Sequence, residues 1–221
     1  MLKTERMDRV RAALRAQGLT QMIVCDPKSV WYLTGVAVEP YERLLALYLP
    51  TEGEPVLFLN RLFNVPEPPC KAVWHTDTDR PVAQIAAVVD AGRPLGIDKE
   101  WPAKFLIPLM EAHPGMQVVL SSDCVDDCRA CKDAEEQALM REASRINDAV
   151  NEAAKHYVKA GMTEREVAEF IDAQFRAHGC EGPSFTTIVS FGANAADPHH
   201  EPDDTVLKEG DCVLFDMGCV K

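Results

Sequence analysis

The front of this chain is predicted to fold as α/β, a mixed sheet flanked by helices, and the back to continue as an α+β segment. Three observations predict this. Short apolar runs alternate with amphipathic helical patterns between residues 4 and 120, which is the signature of helices layered on a sheet. Two of the runs, 44–49 and 56–59, are joined by the turn Pro50-Thr-Glu-Gly53-Glu-Pro55, so an antiparallel hairpin interrupts the alternation. The charge then changes. Residues 1–122 carry 13 basic and 14 acidic side chains, a balance of −1, and residues 123–221 carry 10 and 21, a balance of −11. We therefore expect two domains, 1–122 and 123–221, with the boundary in the short polar stretch 121–127.

The elements follow in order. Met7, Val10, Ala13 and Leu14 repeat at helical spacing and Gly18 stops the helix. Residues 22–25 are a short buried-strand run. Asp26-Pro27 can open a helical turn, with Asp as cap and Pro in the first position, running to Gly35. After the hairpin, residues 60–79 are Pro-rich and read as irregular. A helix over 80–90, a strand over 94–97 reaching Asp98, a helix over 102–112 and a strand over 117–120 complete the first part. A long helix is expected from 128 to about 159, with Leu139, Ala143, Ile146, Val150 and Ala154 at spacings of three and four. Thr163-Glu-Arg-Glu166 has the form of a capping box. It opens a helix whose apolar face holds Val167, Phe170, Ile171 and Phe175, ending at Gly179. Strand runs at 185–189 and 212–215 close the chain.

Composition excludes several functions. The net charge of −12 disfavours nucleic-acid binding, which needs a basic face. No run of 18 apolar residues predicts a membrane span, and the charged N-terminus is unlike a secretory signal, so a cytoplasmic protein with reduced thiols is expected. Cys25 and Cys212 lie in apolar runs and read as small core residues. Cys124, Cys128 and Cys131 have the C-x3-C-x2-C spacing that can hold an iron–sulfur cluster, as in radical-SAM enzymes. On a helix the same spacing describes one packed face. No G-x-S-x-G, G-x-x-x-x-G-K-[ST] or H-E-x-x-H pattern occurs. Gly92-Arg-Pro-Leu-Gly96 is no dinucleotide fingerprint, and Asp203-Asp204 reads as a solvated turn.

The stretch from 184 to 218 concentrates the remaining chemistry. His199 sits beside His200 in a loop of Gly192, Asn194, Asp197, Pro198 and Pro202. An imidazole there can hydrogen-bond a developing oxyanion, although spacing alone equally describes a surface pair. Asp216 ends an apolar run and precedes Met217-Gly218. A carboxylate at a strand end is a hard ligand for a divalent cation, although Asp before Gly is also an ordinary turn.

The order of these residues resembles the creatinase/prolidase/methionine aminopeptidase superfamily of pita-bread metallopeptidases. Gly192-Ala-Asn194, Pro198-His199 and Leu207-Lys208-Glu-Gly210-Asp211-Cys-Val213-Leu214-Phe215-Asp216-Met-Gly218 are similar to its G-x-N, P-H and G-D-x-[VL]-x-x-D-x-G segments. Ser29-Val-Trp-Tyr32-Leu33-Thr34-Gly35, Leu95-Gly96-Ile97-Asp98 and Arg129-x-x-Lys132-x-x-x-Glu136 resemble the creatinase-type N-terminal domain found in Xaa-Pro dipeptidases and aminopeptidases P. Ser29 stands where that family usually has Asn. The resemblance implies a creatinase-like N-terminal domain over 1–122 and the first part of a pita-bread metallopeptidase domain over 123–221. It implies His199 as the catalytic residue that contacts substrate and Asp216 as the first metal ligand. It further implies two divalent ions (Mn, Co or Zn), a proline-containing dipeptide or peptide as substrate, and a homodimer.

The family's five metal ligands are two Asp, one His and two Glu, and only Asp216 has a counterpart here. We therefore expect the 221-residue chain alone to be catalytically incompetent, with the run at 212–215 left unpaired or at an edge. Two other activities known for the fold are a metal-free creatinase-like amidinohydrolase and a non-catalytic peptide-binding module.

Overall fold

The computed structural model describes residues 2–221. The chain divides into two compact units, one ending at Cys131 and the other beginning at Lys132.

The first unit contains α1 (Thr4–Ala16), β1 (Gln21–Val24), α2 (Pro27–Thr34), β2 (Ala46–Pro50), β3 (Val56–Asn60), β4 (Lys71–His75), α3 (Pro81–Ala86), β5 (Leu95–Ile97), α4 (Ala103–Ala112), β6 (Val118–Leu120) and α5 (Asp123–Ala130). Its strands form one six-stranded sheet in the order β4-β3-β2-β1-β5-β6. β2 pairs antiparallel with β1 and β3, while β1, β5 and β6 are parallel, as are β3 and β4. The mixed sheet and the hairpin are as expected.

The period-two alternation of side chains distributes the core. Met22 and Val24, Leu47 and Leu49, and Leu57 and Leu59 face one side, where they bury Met7, Val10 and Leu14 of α1 and Val30 and Leu33 of α2. Ile23, Ala46, Val56 and Phe58 face the other side, with Ile85 of α3 and Leu109 of α4. Helices therefore cover both faces.

The start of α2 is built as its sequence indicates. The Asp26 carboxylate accepts from the N–H groups of Lys28 at 3.2 Å and Ser29 at 2.9 Å. Gly35 ends the helix in the left-handed region at φ 75°, where a Cβ would be strained. Arg129 of α5 reaches back to the same Asp26 carboxylate at 3.1 Å.

Three expectations change. The stretch 60–79 contains a strand, β4, at the sheet edge beside β3. Only five residues long and flanked by Pro66, Pro68 and Pro69, it escapes a periodicity reading. The helix expected from 128 to 159 is two helices. Cys131 leaves α5 extended, and Asp133 starts a new helix with a complete capping box to Glu136, both bonds at 2.9 Å. We expected the second domain to open at residue 123, yet α5 lies in the first unit because Cys124 and Val125 are buried in the same cluster as Met7, Val10 and Leu14.

The same packing includes part of the cysteine row. Cys124 is buried, Cys128 is half-buried and Cys131 is exposed. Burial pushes the Cys124 thiol up to about 11 and raises Cys128 as well. Cys124 and Cys128 thus form part of a packed face. Cys25 is buried as expected, but Cys212 is exposed.

The second unit contains α6 (Ala134–Tyr157), α7 (Glu164–Ala177), β7 (Gly182–Pro183), β8 (Ile188–Phe191), β9 (Val213–Asp216) and β10 (Cys219–Val220). Val150 and Ala154 of α6, Val167, Ile171 and Phe175 of α7, Val189 and Phe191 of β8, and Leu207 make its core. β8 pairs antiparallel with β9, and β7 with β10. The run 212–215 is thus an edge strand rather than an unpaired one. No helix among the described residues is long and apolar enough to cross a membrane.

Candidate active site

The loop between β8 and β9 is closed at its base by the ladder Phe191↔Val213 and by Gly192 N–H donating to Cys212 O at 2.9 Å. β8 begins three residues later than the apolar run implied, because the Thr187 hydroxyl donates to Asp172 at 2.6 Å and holds the preceding segment against α7. Gly192 opens the loop at φ 52°, and a Cβ there would sit 3.2 Å from the Asp211 carboxylate. Only glycine meets both demands. A short 3-10 turn, Gly192–Ala196, follows.

His199 is exposed. Its backbone N–H donates to Asp197 Oδ1 at 3.0 Å, and no hydrogen bond to its imidazole occurs among the described residues. The ring is therefore presented to solvent on a backbone that is held in place. Asp216 is the last residue of β9, exposed and opposite Ile188. No hydrogen bond joins it to His199.

The structure instead gathers residues that spacing did not single out as a group. Glu164, at the first position of α7, is completely buried. Its Oε1 accepts from Phe191 N–H at 2.7 Å and Asn194 Nδ2 at 3.0 Å. Its Oε2 accepts from His200 Nε2 at 2.7 Å and Asp203 N–H at 3.2 Å. The short contact to a carboxylate fixes the proton on His200 Nε2, so Asn194 Nδ2 directs its two hydrogens to Glu164 and to Thr205 Oγ1 at 3.2 Å. Hydrogen bonding to Glu164 raises the pKa of His200, with Glu164, Asp203 and Asp197 charges adding to it.

The same loop satisfies the open N–H groups at the start of α7. Glu164 N–H donates to Thr205 O and Arg165 N–H to Asp203 O, each at 3.2 Å. Thr163 caps the helix with the predicted box to Glu166, and Arg165 pairs with Asp204 at 3.1 Å. The Asp203-Asp204 turn is thus tied to α7 rather than simply solvated.

A signal for Glu164 exists in the sequence. Glu164, Val167 and Ile171 lie on one helical face, so a carboxylate occupies the apolar stripe. The first-turn preference for acidic residues accounts for an exposed Glu and hides this buried one.

Glu164, His200 and Asp203 are the one group of three or more potential metal ligands among the described residues, with atoms within 4.8 Å of one another. Their arrangement is a hydrogen-bond hub, because Glu164 already accepts four N–H donors. Asp216 belongs to no such group. As a single carboxylate it does not fit a dinuclear centre, for which hard cations need several oxygen or nitrogen ligands.

Comparison with known proteins places this geometry in a family. Residues 6–131 match the Creatinase/Prolidase N-terminal domain and residues 138–221 match metallopeptidase family M24. The chain is 30% identical to the putative dipeptidase YkvY of Bacillus subtilis, over 97% of this chain and 62% of that protein. It is 29% identical to the uncharacterized peptidase SERP1271 of Staphylococcus epidermidis, over 96% and 61%. Among solved structures it is similar to dipeptidase PepE from Mycobacterium ulcerans, with TM-score 0.87, 29% identity and coverage of 98% and 60%. It is also similar to a prolidase from Thermococcus sibiricus, with TM-score 0.89, 27% identity and coverage of 100% and 62%. The chain spans about three fifths of the length of these relatives. With a family match over more than half of its residues, the chain belongs to the creatinase/prolidase family, its N-terminal domain followed by a stretch of M24 metallopeptidase.

Proposed function

We propose that this chain is part of a metal-dependent peptide hydrolase of the Xaa-Pro dipeptidase and aminopeptidase P type, and that its 221 residues alone do not hydrolyse peptides. The observation that supports the first half is His199: an exposed imidazole without an internal partner, on a loop whose backbone is tied down on both sides. In that setting His199 hydrogen-bonds the carbonyl oxygen of the scissile bond and follows it as negative charge develops. Asp216 contributes one metal ligand at the end of β9. Support for the second half is chemical: one carboxylate does not make a dinuclear site, and no catalytic step follows from it.

The test has two arms. The purified chain, supplied with Mn²⁺, Co²⁺ or Zn²⁺ and Xaa-Pro dipeptides, is expected to show no hydrolysis above a metal blank. Chelator-sensitive turnover would show that the ligand count is wrong. A chimera in which the part of YkvY beyond the match follows Lys221 is expected to hydrolyse Xaa-Pro dipeptides. There, His199→Ala lowers kcat by about 10²–10³-fold, the usual consequence of losing an oxyanion donor, and Asp216→Asn weakens metal binding and lowers the metal-dependent turnover with it. A folded, metal-loaded chimera that binds proline dipeptides without cleaving them would instead mark a binding module. The same reading makes the protein a cytoplasmic homodimer, and light scattering of the purified chain tests the dimer.

A further inference from the structure

Glu164 stands apart from the other acidic residues of the second unit. It is fully buried, and its carboxylate joins three separate segments: the end of β8 through Phe191, the turn through Asn194, and the loop through His200 and Asp203. Each of these segments flanks His199. His200 N–H donates to Asp197 O at 3.3 Å and His199 N–H to the Asp197 side chain at 3.0 Å, so the two histidines share one backbone anchor. We propose that Glu164 is a positioning residue for His199: its buried carboxylate clamps Nε2–H of His200, and that clamp fixes the backbone on which the neighbouring imidazole stands. The inference rests on reading His199 as the group that faces substrate.

The charges around His200 all favour this arrangement. Glu164 faces it from α7, and Asp197 and Asp203 face it from the loop. Its remaining side-chain neighbour, Asn194, is neutral. Arg165, which follows Glu164 in sequence, is engaged by Asp204. His200 is therefore protonated in the folded chain to a higher pH than in the unfolded one. Its contribution to stability is complete below about pH 6.5, the ordinary histidine value, and is lost as pH rises through the raised folded value. Loss of the charge weakens the clamp without removing it, since the neutral Nε2–H tautomer still donates.

The test is imidazole nitrogen–proton NMR of the 221-residue chain, with denaturation measured across pH. In the wild type, His200 is expected to titrate above 6.5 and to carry its proton on Nε2 when neutral. Glu164→Gln lowers its midpoint and displaces or broadens the ring signals of His199. His200→Ala displaces those signals as well, whereas His200→Gln, which can still donate an N–H to Glu164, keeps them near wild type. Glu169→Gln, on the exposed side of α7, moves nothing. The wild type loses stability as pH rises from 6.5, and His200→Ala does not share that slope. A His200 midpoint unchanged in Glu164→Gln overturns the proposal, as do His199 signals unmoved in both Glu164→Gln and His200→Ala. If neither variant folds, a wild-type His200 that carries its proton on Nδ1 when neutral overturns it, since Nε2 then has no hydrogen to give Glu164. None of these readouts depends on hydrolysis, so a failed peptidase reading and a failed positioning role give different results.

Discussion

Phe175→Ala is expected to destabilise the second unit by about 3–5 kcal/mol, the usual cost of emptying a buried phenylalanine site. Phe175 and Phe191 are the large aromatic side chains of a core that otherwise holds aliphatic residues and Cys180. Phe175 is completely buried on the apolar face of α7, one turn beyond Ile171. A domain of this size is held by about 5–15 kcal/mol in total, so one truncation removes a large part of the margin. Ile171→Val, which deletes one methylene on the same face, sets the scale at about 0.5–1.5 kcal/mol. The measurement is urea denaturation followed by circular dichroism at 222 nm, which detects α6 and α7. Trp31, Trp74 and Trp101 all lie in the first unit, so their fluorescence reports that unit separately. A loss below about 1 kcal/mol for Phe175→Ala would mean that the site collapses around the smaller side chain and that α7 is not the keystone of this core.

Most of the first unit was legible because its elements obey local rules. The alternation in β1, β2 and β3 assigns side chains to two faces, and Asp26, Pro27 and Gly35 delimit α2. What escaped reading was set by tertiary context. β4 is recognisable as a strand only from its pairing with β3. The break between α5 and α6 depends on Asp133 and Glu136 closing a box that also fits a continuous helix on paper. The candidate site divides the same way. His199 and Asp216 were visible through the order of residues around them, which is a family pattern. Glu164 was not, because an acidic residue in a first helical turn has an ordinary explanation. Only the backbone of the loop, folded back onto α7, supplies the four donors that make its burial tolerable.

Asp98→Ala is expected to cost the first unit about 2–3 kcal/mol, because it strands one buried and two partly buried backbone donors at roughly 1 kcal/mol each. Asp98 follows β5 and is 4% exposed. Its Oδ2 accepts from the N–H groups of Cys25 and, at 2.8 Å, Asp26. Its Oδ1 accepts from Glu100 N–H at 3.0 Å. The carboxylate thus holds the end of β1 to the end of β5 and steadies Asp26, the cap of α2. Asp98→Asn keeps the shape and one carbonyl acceptor, so its cost is expected to be near 1 kcal/mol. The pH dependence separates charge from hydrogen bonding. Burial, with a smaller contribution from the Asp26 charge, raises the Asp98 pKa against the lowering effect of its three donors. A raised folded value means the folded chain binds the proton more tightly, so this contribution is complete below about pH 3.9, the ordinary aspartate value, and is lost as pH rises through the folded value. The wild type should therefore lead Asp98→Asn by more at pH 4 than at pH 7. Trp101 reports the change directly, since its buried ring donates to Ile23 O at 3.3 Å in the same corner. Equal small losses for the Ala and Asn variants would show that the three N–H groups find other partners, and that β1 and β5 are held by packing alone.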